Sequence, residues 1–501
     1  MKKFLLSLIT SLVIICLFII VSQDTVFALI KEFTAPERLF ESLDAKIIQA
    51  TNKSQMIEVS KDQREEITKK LLDAGYKEID VEKVENANYK TDVLIKLDRI
   101  VTLQEADKKL RVIWADFDKD YLDLLYQTDT TDTGEVIMAQ VGIDRGSVQK
   151  MPDNPMIGMC YVYKLSDGSV VVIDGGWPTE ECADNLYNTL IKLNTARDDE
   201  GKLKIAAWVF THGHSDHTGT FASFAFKYSE STSISYMLYN LPSEYVDDPE
   251  LNCDVDSFEK IASVMYPNAV HIEPRAGLKY HFGNLTIDML YTPEMLYDAE
   301  KNIEYYNNTS LIFTVECCGT RVLHFGDSGE YAARMLWDSY DEEAFESDAV
   351  QISHHGLNTG LGSHDWEHLG YIYEATKATI GLLPLGTRNE DEERNGRYTV
   401  LVEWTLNGYQ IEFVTKENNR HGLKEITQEY YEQFVRSVAD GTSQFSTLFG
   451  YNGINTVVNE DGMTTYLSST ETENMITLFT LNENGMTMVG NCPLKDWLSA
   501  E

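Results

Sequence analysis

The sequence predicts an α/β protein with a layered central domain, a small N-terminal α+β domain and a small C-terminal appendage. At 501 residues the chain is long enough for two or three domains. From residue 135 to about 415, short apolar runs alternate with glycine-containing turns and amphipathic helices, as in layered α/β folds. Two of these runs, Val170–Ile173 and Ala206–Phe210, end directly in polar clusters. Reactive side chains are therefore expected at the ends of strands.

The N-terminus has the features of an export segment. Two lysines, Lys2 and Lys3, precede the apolar run Phe4–Val21. Val26 and Ala28 suit a cleavage site, but the run is longer than the usual signal-peptide core of about 7–15 residues. Residues 1–28 are interpreted as either a signal peptide or a membrane anchor. The rest of the chain is expected to be extracytoplasmic, anchored or secreted, with this segment as its only membrane contact.

Residues 29–134 are predicted to form the small α+β domain. The segment Ser60–Gln63 resembles a helix capping box and is followed by apolar residues at helical spacing. Val93–Leu97 and Arg111–Trp114 have the composition of strands. The polar stretch 127–134 is interpreted as the linker to the central domain, which spans residues 135–420.

Residues 421–501 are predicted to form a C-terminal appendage. Leu423–Val438 has helical character. Met475–Phe479 and Met486–Val489 are separated by a turn sequence and predict a β-hairpin.

The charge balance is strongly acidic. Asp and Glu number 80 against 42 Lys and Arg, which gives a formal net charge of −38. Such a charge repels polyanions, so nonspecific nucleic-acid binding is not expected. The average field does not exclude one small anionic group held by local cations.

Four side chains that commonly bind metals occur within six residues, His212-Gly-His214-Ser-Asp216-His217. They follow an apolar strand and precede a predicted helix, which is an unusual setting for an ordinary polar loop. Nitrogen and carboxylate ligands suit zinc at about 2.0–2.2 Å, and manganese or iron accept the same donors. The pattern predicts a metal site.

This segment resembles the metallo-β-lactamase superfamily, and further motifs follow the chain order of that family. Asp174-Gly-Gly176 matches its D-G-G turn, Gly326-Asp327 its fourth motif and Ser353–Gly356 its fifth. The resemblance covers roughly residues 135–415. It implies a four-layer αββα sandwich.

The resemblance also implies a dinuclear site, with two zinc ions expected and manganese or iron as alternatives. His212 and His214 would bind the first ion and Asp216 and His217 the second, with Asp327 bridging them. Asp216 would in addition be catalytic, orienting the attacking hydroxide. One of the adjacent His354 and His355 would complete the second site and the other would lie behind it; a register shift of one residue exchanges their faces, so the sequence leaves the choice open.

The third motif departs from the family pattern. Where the family has Thr-Pro-Gly-His, this chain has Thr292-Pro293-Glu294 after the run Leu285–Leu290. The first metal would then be held by fewer protein ligands, or by Glu294. This departure argues against a typical β-lactamase or glyoxalase II.

The departure and the segment Asn307–Leu311 look most like the branch that contains ComEC-type competence domains and secreted phosphorylcholine esterases. Asn308 is open between an active-site role and a turn that begins the next strand. His324 is interpreted as a core residue or a neighbour of the ligands.

Together these features predict an exported metal-dependent hydrolase that uses a dinuclear-metal-activated hydroxide on a phosphodiester or related ester, either a small molecule or attached to the envelope. One alternative is an extracytoplasmic nuclease related to competence proteins, which the charge disfavours. Another is a catalytically silent metal-binding protein with an envelope partner. The sequence predicts no oligomeric state.

Overall fold

The computed structural model describes residues 36–40, 43, 45–106, 108–126, 134–143, 158–242, 255–296, 306–356, 367–384, 399–401, 413–415, 456–458, 464–469 and 473–500. The predicted export segment and the helix predicted over Leu423–Val438 lie outside these residues. The chain divides into two compact units. The first comprises residues up to Gln49, Lys53–Asp80 and Asp92–Phe117, and the second comprises the remainder.

The first unit is built on a six-stranded sheet in the order β1-β2-β6-β5-β4-β3. Its strands are β1 Ile48–Gln49, β2 Ser54–Ser60, β3 Lys77–Ile79, β4 Lys90–Lys96, β5 Arg99–Ala106 and β6 Lys109–Asp116. Two helices accompany it, α1 Pro36–Leu39 and α2 Arg64–Asp73. Ile67 and Leu71 of α2 are fully buried and form one apolar cluster with Trp114 of β6. The unit has the α+β composition that the sequence predicts.

The second unit contains two eight-stranded sheets. The first has the order β12-β11-β10-β9-β8-β7-β23-β24. Its strands are β7 Val136–Val141, β8 Cys160–Lys164, β9 Val170–Asp174, β10 Leu203–Val209, β11 Thr232–Leu238, β12 Val270–Ile272, β23 Met475–Asn482 and β24 Gly485–Pro493.

The second sheet has the order β13-β14-β15-β16-β17-β18-β22-β21. Its strands are β13 Lys279–Phe282, β14 Leu285–Tyr291, β15 Ile312–Cys317, β16 Thr320–His324, β17 Ala349–Gln351, β18 Ile380–Leu383, β21 Thr456–Val458 and β22 Thr464–Leu467. A separate two-stranded sheet consists of β19 Thr399–Leu401 and β20 Phe413–Thr415.

Helices cover the outer faces of both large sheets, which gives the four layers of an αββα sandwich. They are α3 Asp120–Asp123, α4 Glu180–Lys192, α5 Ser215–Tyr228, α6 Val255–Met265, α7 Glu330–Ser339, α8 Glu367–Thr376 and α9 Leu494–Ser499. Leu186 of α4 and Phe221 of α5 pack with Trp208 of the first sheet in one buried cluster. Between the sheets, the Tyr163 hydroxyl of β8 contacts Nε2 of His324 in β16 at 2.7 Å. The predicted fold class is confirmed.

The C-terminal hairpin is present, but it is not a separate appendage. Strand β23 pairs antiparallel with β7, with Leu478 opposite Ala139. Ile476 is fully buried in the core cluster of the first sheet. Strand β22 pairs parallel with β18 in the second sheet. The expectation of an appendage is therefore corrected, because the hairpin pairs with the edge of β7 that β8 leaves free.

The boundary between the two compact units also differs from the predicted one at residue 134. Val81–Thr91 and the residues from Asp118 onward belong to the second unit.

Candidate metal centre

One group of possible metal ligands consists of Asp216, His217, Asp327 and His355. Their ligand atoms lie within 4.8 Å of one another, and all four residues are buried. Oδ2 of Asp327 lies 3.1 Å from Nε2 of His217 and 3.3 Å from Nε2 of His355. Oδ2 of Asp216 lies 3.2 Å from Nε2 of His355. Two carboxylates and two imidazoles thus converge on one point.

A second group consists of His212, His214 and Asp327. Nε2 of His212 lies 3.1 Å from Nδ1 of His214 and 3.8 Å from Oδ2 of Asp327. Asp327 is therefore common to both groups, as the resemblance implies. The structure brings together six of the seven predicted ligands in these two groups: His212, His214, Asp216, His217, Asp327 and His355.

Hydrogen bonds at Nδ1 orient two of the imidazoles. Nδ1 of His217 donates to Oδ2 of Asp174 at 2.6 Å, and Nδ1 of His355 donates to the carbonyl oxygen of Pro384 at 2.7 Å. Asp174 is itself held by the backbone N–H and the hydroxyl of Thr211, at 2.8 and 2.7 Å. With Nδ1 engaged, each ring directs Nε2 towards the centre, which is the arrangement of metal-binding histidines.

The turn after β17 decides between the two adjacent histidines. Both His354 and His355 have left-handed backbones, with φ of 48° and 54°. This conformation places only the His355 ring in a ligand group. The His354 ring instead accepts a hydrogen bond at Nε2 from Nδ2 of Asn307 at 3.1 Å, and its Nε2 lies 3.9 Å from Oδ2 of Asp327. His354, which the sequence left as an equal candidate, borders the ligand groups without joining one of them.

Two glycines permit the close approach of loops at the site. A Cβ on Gly213 would lie 2.4 Å from the hydroxyl oxygen of Tyr306. A Cβ on Gly326 would lie 2.9 Å from Cβ of Ser310 and 3.0 Å from Cβ of Thr211, and Gly326 also has a φ of +56°. Only glycine fits both requirements at position 326.

The electrostatics of the cluster favour positive charge at its centre. Burial disfavours a charged His217, but Asp327, Asp174 and Asp216 outweigh burial and hold the pKa of His217 well above its ordinary value. Burial likewise opposes the cation of His355, yet Asp327 and Asp216 raise the pKa of His355 to about 9. Burial would raise the pKa of Asp327, and the charges of His217 and His355 instead hold that pKa well below its usual range.

The pKa values of His212 and His354 are shifted in the opposite direction from those of His217 and His355. Burial, reinforced by the neighbouring His217, lowers the pKa of His212 well below its ordinary value. Burial also lowers the pKa of His354 to about 4, against the opposing effect of Asp327. Both rings are therefore neutral at physiological pH, which is the form that binds metals or donates a single hydrogen bond.

The residues fit divalent metal ions. Nε2 of His217 and Nε2 of His355 lie 3.3 Å apart, although each ring already uses Nδ1 as a donor. Without a metal ion, protons on these two nitrogens donate to the carboxylates of Asp327 and Asp216, and a metal ion would take the place of these protons. Among the described residues, Oδ1 of Asp327 is buried without a hydrogen-bond partner. A shared cation accounts for both features, and imidazole with carboxylate donors is a typical zinc ligand set.

Glu294 does not supply the missing third-motif ligand. Its Oε1 accepts hydrogen bonds from NH1 of Arg275 and Nδ2 of Asn240, both at 2.7 Å. Arg275 also bonds Glu273, at 3.0 Å. Neither ligand group found in the described part of the chain includes Glu294. The expectation that Glu294 binds the first metal is therefore wrong, because its carboxylate already forms an ion pair with the buried Arg275.

The asparagine-rich turn contributes a residue that the sequence interpretation missed. Oδ1 of Asn308 accepts from the backbone N–H of Gly329 at 3.1 Å, so Asn308 holds the loop after Asp327. Its neighbour Asn307 is the one that contacts His354. The sequence gives no signal for which of the two adjacent asparagines faces the cluster.

Asp174 is the second residue with an unpredicted role. The sequence identified Asp174-Gly-Gly176 as a motif without giving the carboxylate a function, and the structure shows it bound to His217. His324, in contrast, lies where it was expected. It is fully buried among the aromatic rings of Tyr161, Tyr163 and Phe313.

One family of known proteins matches part of the chain in sequence. Residues 153–282 match the Metallo-beta-lactamase superfamily. No curated protein matches the chain in sequence.

Among solved structures, the chain is similar to Zn(2+)-bound PqqB from Methylobacterium extorquens, with a TM-score of 0.29 and 11% identity over 43% of this chain and 72% of that chain. It is also similar to a mutant of the CmlA beta-hydroxylase, with a TM-score of 0.27 and 11% identity over 50% of this chain and 46% of that chain. The segment matched in sequence includes four candidate metal ligands, His212, His214, Asp216 and His217. Residues 153–282 of the chain, which carry these ligands, are thus similar to the metallo-β-lactamase superfamily.

Proposed function

We propose that the chain is an extracytoplasmic metal-dependent hydrolase that acts on a phosphodiester or a related ester through a dinuclear site. The observation that supports this most directly is the pair of ligand groups that share Asp327. When bound, two such ions supply a water of lowered pKa and stabilise negative charge that develops on a phosphoryl or carbonyl oxygen. Zinc is the proposed metal, and manganese or iron suit the same donors.

The protein's own residues would prepare the site for this chemistry. The Asp174 carboxylate and the Pro384 carbonyl fix the tautomer and direction of His217 and His355. Oδ2 of Asp216 lies 3.2 Å from Nε2 of His355, so this carboxylate faces the other candidate ligands of the second ion. From there it would accept a hydrogen bond from the attacking water and hold it in position. Asp216 is accordingly the proposed catalytic residue.

The preference for a phosphodiester comes from the branch of the superfamily that the sequence resembles. The structure adds one supporting feature. Glu294 is occupied by Arg275, which leaves His212, His214 and Asp327 as the protein ligands of the first ion. A site with fewer protein ligands keeps more positions for substrate oxygens. A small-molecule or envelope-attached substrate is proposed from the export segment, residues 1–28.

The extracytoplasmic location is proposed from residues 1–28 alone. None of the helices in the described part of the chain has the length and hydropathy needed to cross a membrane. A cleaved signal peptide and a retained anchor are both compatible with the proposal. Fractionation of expressing cells, followed by N-terminal sequencing of the mature protein, distinguishes the two.

The proposed activity is tested by metal analysis of the purified protein together with hydrolysis of bis(4-nitrophenyl) phosphate. Wild type is compared with Asp216→Ala and Asp327→Ala. Asp184→Ala serves as the matched control, because Asp184 lies on α4 and bonds Lys227 and Tyr228. We expect about two metals per chain and turnover in the wild type and the control, with turnover lost in both site variants.

The other outcomes separate the alternatives. Metal binding without phosphodiester turnover would direct attention to carboxylic esters and lactones, and failure on these too would favour a silent metal-binding protein. Salt-dependent binding of DNA would revive the nuclease hypothesis. Absence of bound metal under metal-replete conditions would refute the proposal itself.

A further inference from the structure

Asn307 and His354 form a polar pair at the border of the ligand cluster that neither ligand group uses. Asn307 is 7% exposed. Its Nδ2 donates to Nε2 of His354 at 3.1 Å, and the same Nε2 lies 3.9 Å from Oδ2 of Asp327. The pair therefore lies next to the carboxylate that both ligand groups share.

The hydrogen bond leaves one polar atom available on each side chain. Because Asn307 donates to Nε2, the neutral imidazole of His354 carries its proton on Nδ1. In the part of the chain that the structure describes, both Nδ1 of His354 and Oδ1 of Asn307 are buried without a hydrogen-bond partner. The opposite amide orientation exchanges the roles but again leaves one donor and one acceptor. Buried polar groups of this kind require a partner, which an ordered water or a bound ligand supplies, and the second choice is the one that connects them with the neighbouring site.

Backbone hydrogen bonds hold the pair rigidly. The turn that carries Asn307 continues into Leu311, whose N–H donates to the carbonyl oxygen of Thr211 at 2.9 Å. The N–H of His354 donates to the carbonyl oxygen of Gly326 at 3.1 Å. His354 also keeps a left-handed backbone, with φ 48° and ψ 44°, which a residue with a Cβ rarely adopts. Such a conformation persists only where the surrounding structure enforces it.

We propose that Asn307 and His354 bind substrate oxygens beside the ligand cluster. The imidazole N–H donates to a negatively charged oxygen of the substrate, and the amide oxygen accepts from a hydroxyl of the substrate or the product. This inference rests on the proposed function and adds a specificity: the preferred ligand is an oxyanion, such as a phosphate, that also presents an O–H group. Neutral donors suit this task because they bind the anion without adding a competing ion pair to the cluster.

The test uses the full-length, zinc-loaded protein and inorganic phosphate as the probe, with affinity measured by calorimetry and zinc content by elemental analysis. His354→Gly removes the imidazole without backbone strain, and His354→Asn keeps an N–H donor on a residue that tolerates the left-handed conformation. Asn307→Leu removes the amide. We expect unchanged zinc content, phosphate affinity about tenfold or more lower in His354→Gly and Asn307→Leu, and partial recovery in His354→Asn.

The double variant His354→Gly/Asn307→Leu should bind phosphate about as weakly as either single variant, because the two side chains act as one unit. His368→Asn is the control, since its imidazole bonds Glu330 away from the ligand groups, and it should bind phosphate like the wild type. Undiminished phosphate affinity in the single variants, additive losses or loss of zinc would each overturn the proposal, as would a zinc-loaded wild type that does not bind phosphate. Hydrolysis of bis(4-nitrophenyl) phosphate in the same samples judges the proposed function separately.

Discussion

Asp174 ends β9 with a left-handed backbone, φ 53°, and from there accepts hydrogen bonds from Thr211 and His217. It touches no other member of the ligand groups directly. Its effect on the site is to fix the direction of one imidazole and to favour the engagement of Nε2 with a cation. Carboxylates in this position raise the basicity of the histidine that they contact.

Asp174→Asn should therefore weaken metal binding without unfolding the protein. Asparagine tolerates a positive φ, so the turn should be retained, while the charge opposite His217 is lost. We expect metal affinity to fall about 10–100-fold, measured by competition with a chromophoric chelator. Asp184→Asn on α4 is the matched control. Equal affinities of Asp174→Asn and wild type would show that Asp174 has no orienting role.

His324 illustrates a different use of a buried histidine. Burial lowers its pKa to about 3, and the Tyr163 hydroxyl lies 2.7 Å from Nε2. The folded protein thus keeps this ring neutral at pH values where an exposed histidine, with a pKa near 6.5, is protonated. Because the unfolded chain then binds more protons, the contribution of His324 to stability is complete above about pH 6.5 and declines as the pH falls towards 3.

His324→Gln should flatten this dependence. The glutamine can still pair with the Tyr163 hydroxyl but does not titrate. Urea unfolding of both proteins between pH 4 and 7 is expected to show that wild type loses up to about 1.4 kcal/mol per pH unit more than the variant as the pH decreases. Parallel pH profiles would indicate that the carboxylates alone determine the acid sensitivity.

At the level of elements, the residues of the candidate site lie at the carboxyl ends of strands. Strands β9 and β10 are parallel, as are β16 and β17, so the loops that follow each pair start at a common edge. Asp174 is the last residue of β9, and the His212–His217 segment, Asp327 and His355 follow β10, β16 and β17. The two sheets hold these loops against each other, as rigid scaffolds hold functional loops in other folds.

The hairpin of β23 and β24 belongs to this scaffold, and its buried side chains should matter for stability. Phe479 in β23 is fully buried, whereas Met488 in β24 is 41% exposed. Phe479→Ala is expected to lower the free energy of unfolding by about 3–5 kcal/mol, and Met488→Ala by less than about 1 kcal/mol. Chemical denaturation monitored by circular dichroism provides the comparison. If both substitutions lowered the free energy of unfolding by similarly small amounts, the hairpin would be an appendage rather than a part of the core.

At the scale of the whole molecule, the candidate ligands come from segments far apart in the chain. Asp216 and His355 are brought to 3.2 Å although 139 positions separate them. Unfolding therefore disperses the site, and a metal that binds the folded form stabilises it by mass action. The acidic chain contributes as well, since its net charge of −38 attracts cations in general.

Removal of metal should lower the melting temperature. At a free metal concentration about 100 times the dissociation constant, the linkage amounts to about 2.7 kcal/mol per site, and this contribution is lost in excess chelator. Differential scanning calorimetry of wild type with zinc and with chelator measures the shift, and Asp327→Ala should show a much smaller one. A wild type whose melting temperature is the same in zinc and in chelator would contradict metal binding at this cluster.

The local sequence predicted much of this arrangement. The HxHxDH segment, the polar residues after apolar runs and the alternation of elements are properties of neighbouring residues, and they were sufficient to predict a layered α/β fold and the types of ligand. For His324 they left two choices open, a core residue or a neighbour of the ligands. The resemblance to the metallo-β-lactamase superfamily added Asp327 and the pair His354 and His355, and six of the seven predicted ligands lie in the two groups.

Only the tertiary structure decided the rest. The choice of His355 over His354 depends on two consecutive left-handed residues, which no side-chain pattern encodes. Glu294 is kept from the ligand groups by its ion pair with Arg275, and the hairpin joins the first sheet because β23 pairs with the free edge of β7. Each of these is a contact between segments distant in sequence or a backbone conformation that such contacts enforce, whereas periodicity and motif spacing report only on residues that are neighbours along the chain.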